Sequence, residues 1–536
     1  MSRQTYRSER GPALTNFLSC SELLHLTFEH CLPEGKVLIH PEHAPLKLTF
    51  VCKYWKNIVE SSSRFWNSFR LELSGIKRKE DIELYKGIVK YCLKNSGSLP
   101  LQVSIIKPDR TAQNLFQPLF KLFKLVRGHI HRWHDMEFSL PGFVLENESY
   151  DAVFKAPMLR KFHLDFTNEY LEDREIDSFQ LNLRRCYNLE ELSVHGRRMQ
   201  EEYDRPRNDD EVLPVIYCFR CPPNLKVLEM NDIFFARPFN VDDEIFIEDT
   251  EDDNGYIDPL AQTNLRNGFS EFWPTNAWKV VLTNVEICPE FLPRFHLMFP
   301  CLTWLEIKNT YRYWVFEYSF RRGVWEMKLP KLQRLSLMVL EWQLLSALRT
   351  PELTWLELDE GYSVERDDPE ASPQEWELRS DVLINFIKTN NLKFMLTTFK
   401  LTSVSITEDE LITILRRLPT LLDLSLNIQY NGLTDEFLHA IANGKNLAIS
   451  SNETVGFVGD ITLCPSVVNL RIESGTEDSE HDFSVDAVTA LARSRGRALG
   501  VGQGRATRWE SLELPISKGC LEAVLKAVNV KLTSTL

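Results

Sequence analysis

A short apolar arrangement recurs along most of the chain: an apolar residue, two others, an apolar residue, one other, and an apolar residue. The clearest copies begin at Leu225, Leu302, Leu332, Leu353, Leu421, Val467 and Trp509. Weaker copies begin at Trp66, Pro100, Trp133, Leu159, Leu189, Ala277 and Leu396. Because the last two apolar positions of each copy are two residues apart, both side chains point to one face of a short strand. The arrangement therefore predicts a long series of strands, each with one buried face.

Between the copies the apolar period becomes helical, as it does over residues 82–92. Successive copies start 21 to 52 residues apart, and the shorter steps are typical of leucine-rich repeats. A strand and a helix cannot bury an apolar face alone, so the units must stack. The predicted fold class is α/β: a short helical domain at the N-terminus, followed over 66–536 by an irregular leucine-rich-repeat solenoid. In this solenoid, helices back a curved parallel sheet.

Residues 17–69 lack the repeat and show two short amphipathic helical patterns instead. The first runs from Glu22 to Cys31. After a proline-containing loop, a second helix is predicted to carry Leu48, Val51, Cys52, Trp55 and Ile58 on one face. We assign 14–65 to this helical domain and 1–13 to a flexible tail. So few residues enclose little core, and the helices are expected to pack on the solenoid, on a partner or on both.

Two stretches of this domain resemble the F-box, and more narrowly the F-box-like proteins common in fungi. They run from Ser21 to Pro33 and from Ala44 to Phe69. The second stretch contains the VC-x-x-W core at 51–55, and Phe65-Trp66 stands where the family has a late LW pair. The resemblance extends into the repeats, because Arg132-Trp133 and the P-x-L-x-x-L-x-L units are similar to that family's leucine-rich-repeat region.

The resemblance implies a non-catalytic substrate receptor of a Skp-cullin-F-box ubiquitin ligase. The F-box would dock a Skp-type adaptor and, through it, a cullin, and the repeats would hold the target protein. The implied adaptor contacts, or the core directly behind them, are Leu23, Leu24, Phe28, Leu46, Leu48, Val51, Trp55, Ile58 and Trp66. Sequence alone does not tell which of these residues contact the adaptor and which form the core behind it. We expect Trp55 and Cys52 in the core, since cysteine and helix aromatics are mostly buried. The alternative is a repeat scaffold that does not engage a cullin complex.

Composition excludes several classes of protein. Apolar residues make up 43% and charged residues 26% of the 536, which is the globular range and excludes disorder throughout. The formal charge of −14 without a basic stripe argues against nucleic acid as a partner. We find no secretory signal and no apolar run approaching the ~18 residues of a membrane span. We therefore expect a cytoplasmic or nuclear protein whose 11 cysteines are free thiols.

Long steps between copies indicate loops inserted into the stack, and three of them are acidic: about 231–268, 359–381 and 473–482. One further stretch, 311–325, combines seven aromatic residues with three arginines, which is typical of interaction hot spots. Its candidate target-binding residues are Tyr311, Tyr313, Trp314, Arg321, Arg322 and Trp325. Alternatively, and with equal weight, these aromatic side chains are buried against the stacked repeats and do not contact a target.

Motifs for chemistry are weak. Cys218 and Cys221 have the spacing of half a zinc site without a second pair. The stretch Gly500–Gly504 lacks the glycine spacing and the Lys-Ser/Thr of a P-loop. We therefore predict no metal, no cofactor and no catalytic residue. An enzyme that uses these stretches for a metal or a nucleotide is the alternative from a different class.

Overall fold

The structure of the protein is a computed structural model. It describes residues 20–33, 35–73, 78–106, 116–139, 155–165, 179–183, 185–196, 216–220, 222–231, 234–235, 275–283, 285–287, 295–308, 326–338, 343–359, 380–404, 406–428, 433–443, 463–474, 483–494, 509, 511–515, 522–524 and 533–534. The chain forms two compact units, Met1–Thr275 and Asn276–Leu536.

The first unit contains five helices and ten strands in the residues described. The helices are α1 (Ser21–His30), α2 (Leu46–Thr49), α3 (Lys53–Ser61), α4 (Lys79–Asn95) and α5 (Phe116–Arg127). The strands are β1 (Val37–Leu38), β2 (Ser68–Glu72), β3 (Leu101–Ile106), β4 (Trp133–Ser139), β5 (Lys161–Asp165), β6 (Phe179–Asn182), β7 (Glu191–His195), β8 (Ile216–Arg220), β9 (Val227–Asn231) and β10 (Phe234–Phe235). The main sheet has the order β1-β2-β3-β4-β5-β7-β9, and its neighbours pair in parallel.

The second unit repeats this plan. Its described helices are α6 (Phe295–Met298), α7 (Gln343–Ala347), α8 (Ser380–Thr389), α9 (Glu408–Leu415), α10 (Asp435–Asn443) and α11 (Val485–Ser494). Its strands are β11 (Lys279–Thr283), β12 (Glu286–Ile287), β13 (Trp304–Lys308), β14 (Met327–Lys328), β15 (Arg334–Met338), β16 (Leu348–Arg349), β17 (Trp355–Asp359), β18 (Thr398–Val404), β19 (Asp423–Ile428), β20 (Asn469–Ser474), β21 (Ser511–Leu514) and β22 (Thr533–Ser534). The main sheet has the order β11-β13-β15-β17-β18-β19-β20-β21-β22, again parallel.

The recurring apolar residues form the core, as their spacing predicts. Every residue of the arrangement is buried, with the single exception of Pro100. Parallel pairing stacks equivalent positions in register, so that Leu305 faces Leu335 and Leu335 faces Leu356. The sequential order of parallel strands, with helices or short strands in many of the connections that the structure describes, is the architecture of a leucine-rich-repeat solenoid. The predicted fold class is therefore confirmed for the repeats.

Tryptophan at the first position of a copy also joins the strand to the preceding helix. The indole nitrogen of Trp66 donates to the carbonyl oxygen of Val59 at 2.8 Å, and that of Trp133 donates to the carbonyl oxygen of Val126 at 3.1 Å. Both carbonyls lie in the last turn of a helix, where carbonyl groups lack a full set of intrahelical partners. The same contact therefore satisfies a buried indole and ties the end of a helix to the sheet.

The N-terminal helices differ from the prediction in one respect. The first helix is found one residue from its predicted position, but the predicted second helix is broken into α2 and α3. Cys52 between them is extended, with φ −161° and ψ 165°, and its sulfur accepts the backbone N–H of Trp55 at 3.4 Å. The helical period continues across the break, which is why the apolar pattern alone did not predict it.

Strand β1 lies within the range 14–65 that the sequence assigns to the helical domain, and it pairs in parallel with β2. The first strand of the sheet thus comes from the loop between α1 and α2.

No helix in the described part of the chain combines the length and the apolarity needed to cross a membrane.

Two neighbouring leucines test the predicted core. Leu424, the second residue of β19, is 2% exposed, whereas Leu422, which precedes the strand, is 38% exposed. We expect Leu424→Ala to lower the free energy of unfolding by about 2–5 kcal/mol, because it removes buried methyl groups and leaves a cavity. Leu422→Ala should lower it by less than about 1 kcal/mol. Urea unfolding followed by circular dichroism measures both, and equal losses would contradict the assigned register.

Candidate functional site

The N-terminal module, residues 21–65, is built around a small aromatic core. The ring of Phe28 on α1 packs against the ring of Trp55 on α3, with centroids 4.8 Å apart. Leu24, Val59 and Phe65 are buried beside them, so the module is closed by the turn that follows α3. These contacts orient α1 across α3.

Polar contacts complete the packing of the module. The ring of His25 stacks on Phe65 with centroids 5.0 Å apart, and its Nε2 lies 2.8 Å from the hydroxyl oxygen of Ser62. Its Nδ1 lies 3.6 Å from the carboxylate of Glu29, one helical turn further along α1. His25 therefore holds α1 against the segment that leads into β2.

The module is also attached to the repeats of the first unit. Tyr91 of α4 donates a hydrogen bond to the carboxylate of Glu60, and its ring meets Trp66 edge to face at 5.0 Å. Burial, together with this carboxylate, raises the pKa of Tyr91 well above its ordinary value. Lys36, just before β1, pairs with Asp135 of β4 at 2.8 Å. The module is thus held in one orientation on the first sheet.

The outer surface of the module is unusually apolar. Five large apolar side chains lie exposed on it: Leu23 (43%), Leu26 (54%), Phe50 (72%), Val51 (56%) and Tyr54 (43%). The first two are one turn apart on α1, Phe50 and Val51 lie at the break between α2 and α3, and Tyr54 lies in the first turn of α3. Exposed apolar side chains concentrated on so short a segment are typical of an interaction surface.

The structure divides the predicted adaptor residues by burial into three groups. Leu24, Phe28, Leu46, Ile58 and Trp66 are buried in the protein's own core. Leu23 and Val51 are exposed, and Leu48 and Trp55 are half-buried. Leu26, Phe50 and Tyr54 are exposed as well and are not among the residues predicted from the sequence. Leu26 could have been identified from its spacing of three residues from Leu23 on the same helix. The exposure of Phe50 and Tyr54 depends on the break at Cys52, which the apolar spacing does not reveal.

Cys52 is exposed, so the prediction that it lies in the core is wrong. The physical reason is its position before α3, where its sulfur caps the helix instead of packing beneath it. Cys92 and Cys186 are buried, and burial raises the pKa of their thiols to about 12 and about 11 respectively.

The other predicted sites fall outside the described residues. These sites are the target-binding residues within 311–325, the tail 1–13, Cys221, the stretch 500–504 and most of each acidic loop. Among the residues that are described, no group of three or more His, Cys, Asp or Glu side chains is placed to hold a metal ion.

Comparison with known proteins adds little to this picture. No protein-family model matches the chain, and no curated protein matches it. Among solved structures, the chain is similar to a leucine-rich-repeat protein of Leptospira interrogans. The two share 13% sequence identity, the match covers 89% of this chain and 92% of that one, and the TM-score is 0.28. The assignment of the repeat fold therefore rests on the strand order, register and burial described above.

Thiol alkylation tests the surface of the module. In the native protein we expect iodoacetamide to modify Cys31 and Cys52, which are exposed, and to spare Cys92 and Cys186. A buried thiol with a raised pKa is neutral at pH 8, and the thiolate is the reactive form. Mass spectrometry of tryptic peptides gives the rate at each cysteine, with urea-unfolded protein as the control. Modification of Cys92 as fast as Cys52 would contradict the assigned packing.

Proposed function

We propose that this protein is a non-catalytic substrate receptor of a Skp-cullin-F-box ubiquitin ligase. In this proposal the N-terminal module docks a Skp-type adaptor, and the repeats bind the protein that is to be modified. The observation that carries the proposal is the set of exposed apolar side chains on α1 and at the break between α2 and α3.

Physical chemistry supports a protein partner for this surface. Full burial of a Leu, Val or Phe side chain contributes about 1.5–3 kcal/mol relative to leaving it in water. Phe50 and Tyr54 are also of the aromatic type that is enriched in the buried centres of interfaces. The residues implied by the F-box resemblance and those exposed by the fold coincide at Leu23 and Val51.

The attachment of the module supports a positioning role. A receptor that contributes only proximity and orientation must hold its adaptor in a defined direction. Here α3 is tied to Trp66 and to Tyr91 of α4, and Lys36, in the loop after α1, pairs with Asp135 of β4. An adaptor docked on the module would be held in a fixed orientation relative to the repeats of the first unit. The transfer of ubiquitin would be carried out by other subunits.

Adaptor binding by surface variants tests the proposal. We expect the full chain to form a stoichiometric complex with a Skp-type adaptor, measured by isothermal titration calorimetry. Leu26→Asp combined with Val51→Asp should weaken binding about 100-fold, because two apolar contacts of roughly 1.5 kcal/mol each are replaced by charges. Both residues are exposed, so the folded state should survive.

A matched control separates contact from a general effect of charge. Leu84 on α4 is 64% exposed and lies outside the module, so Leu84→Asp should bind the adaptor as the wild type does. In the complex, alkylation of Cys52 should slow, because it lies between Val51 and Tyr54. If the folded wild type binds none of a panel of Skp-type adaptors, the ligase role fails and the scaffold without a cullin complex takes its place.

A further inference from the structure

A row of cationic and tryptophan side chains crosses the main sheet of the second unit. Lys279, Trp304, Arg334 and Trp355 occupy the same register position on four successive strands, β11, β13, β15 and β17. Lys400 of β18 lies two residues beyond Thr398, the register partner of Trp355, and its Nζ lies over the Trp355 ring. We call these five residues the cation–tryptophan row.

The side chains of the row are in direct contact. The guanidinium carbon of Arg334 lies 4.1 Å from the ring centre of Trp304 and 4.5 Å from that of Trp355, so the guanidinium is held between two indoles. The Nζ of Lys279 lies 4.7 Å from the ring centre of Trp304, and the Nζ of Lys400 lies 5.3 Å from that of Trp355. The contacts alternate cation and aromatic along the whole row.

The row lies on the face of the sheet opposite the core. On each of its strands the neighbouring position, such as Leu305 or Leu356, points into the core and is buried. The row residues themselves are half-buried. Alternation along a strand places them on the other face, where the sheet meets solvent.

Arg334 stacks on two indoles, but within the described residues no carboxylate pairs with its charge. Among the described residues it forms no ion pair and no side-chain hydrogen bond, and its buried Nε has no acceptor. The nearest carboxylates on the same face are engaged elsewhere: Glu306 pairs with Lys308, and Glu357 accepts a hydrogen bond from Ser336 at 3.1 Å. An arginine held between rings keeps its planar donor edge fixed for a carboxylate.

We infer that the cation–tryptophan row binds an extended acidic peptide segment of a partner protein. Arg334 and Lys400 would each meet a carboxylate, and the two indoles would cover the intervening peptide. Cations two strands apart are separated by about 10 Å, because neighbouring strands lie about 4.8 Å apart. An extended peptide covers that distance in about three residues. The preferred segment therefore carries two acidic residues three positions apart.

Charge complementarity favours discrete carboxylates over a phosphate backbone. The row contains three cations and no carboxylate, but Glu306 and Glu357 lie directly beside it on the same strands. A nucleic acid presents an unbroken line of negative charge and would meet these carboxylates, whereas a peptide can place its own charges only over the cations.

The inference concerns the partner of the second unit and is tested without any adaptor. Adaptor docking on the N-terminal module can therefore fail while peptide binding succeeds, and the reverse also holds. If both succeed, the row gives the chemical class of the target segment.

Fluorescence anisotropy with a fluorescein-labelled synthetic peptide tests the inference on the full chain at low ionic strength. The peptide carries Asp at every third position with Ser and Thr between, and its control carries Asn instead of Asp. We expect the Asp peptide to bind at least about tenfold more tightly than the Asn peptide. Added salt should weaken the binding.

Three variants locate the binding. Arg334→Gln and Lys400→Gln should each weaken binding at least about tenfold, the second without disturbing the guanidinium between the rings. Arg471→Gln is the matched control, because Arg471 lies on the same sheet but already pairs with Glu473 and with Glu513 at 3.3 Å. Its binding should equal that of the wild type. Thermal unfolding confirms that each variant is folded.

Three results would overturn the inference. Equal affinity for the Asp and Asn peptides, or no binding of either, would show that the row does not select carboxylates. Unchanged binding in both Arg334→Gln and Lys400→Gln would place the contact elsewhere. Tighter binding of a single-stranded oligonucleotide, lost in the same two variants, would make the row a nucleic-acid surface instead.

Discussion

The in-register stacking of one apolar position on its equivalent in the next strand is the constraint on which this structure depends. Parallel pairing brings Leu335 against Leu305 on one side and Leu356 on the other, and every such residue is buried. A shift of one residue would turn the whole apolar set of a strand to solvent. Steps of very different length between copies are compatible with the fold because the register of the strands is kept.

The same register creates the features on the opposite face. Residues 25, 30 and 21 positions apart along the chain become neighbours in the cation–tryptophan row only because their strands align. Function on a repeat scaffold is carried by such positions, since the core positions are reserved for packing. The N-terminal module shows the same division, with Leu24 and Phe28 packed inward and Leu23 and Leu26 exposed on the same helix.

Much of the fold could be predicted from the sequence because strand geometry has a fixed period of two. The strands at the copies, their buried residues and the position of α1 follow from that pattern and from the helical period. Short strands outside the copies, such as β1, β6, β8, β14 and β16, do not follow from it. The break at Cys52 could not be predicted, because it depends on backbone angles and a sulfur cap that leave the apolar spacing unchanged. The exposure of Phe50 follows from that break. The row could have been found by aligning the copies, since its first four members all stand one place before the second apolar residue.

Strand β1 lies at the end of the strand order in the first unit, and it is contributed by the loop between α1 and α2. Repeat arrays need a terminal cap, because the outermost unit would otherwise leave an apolar face and an unpaired strand edge in water. Here the segment proposed to recruit a partner is also that cap. Removal of residues 20–66 would therefore expose the edge of β2. Loss of the docking segment would be tolerated only if another segment capped the repeats.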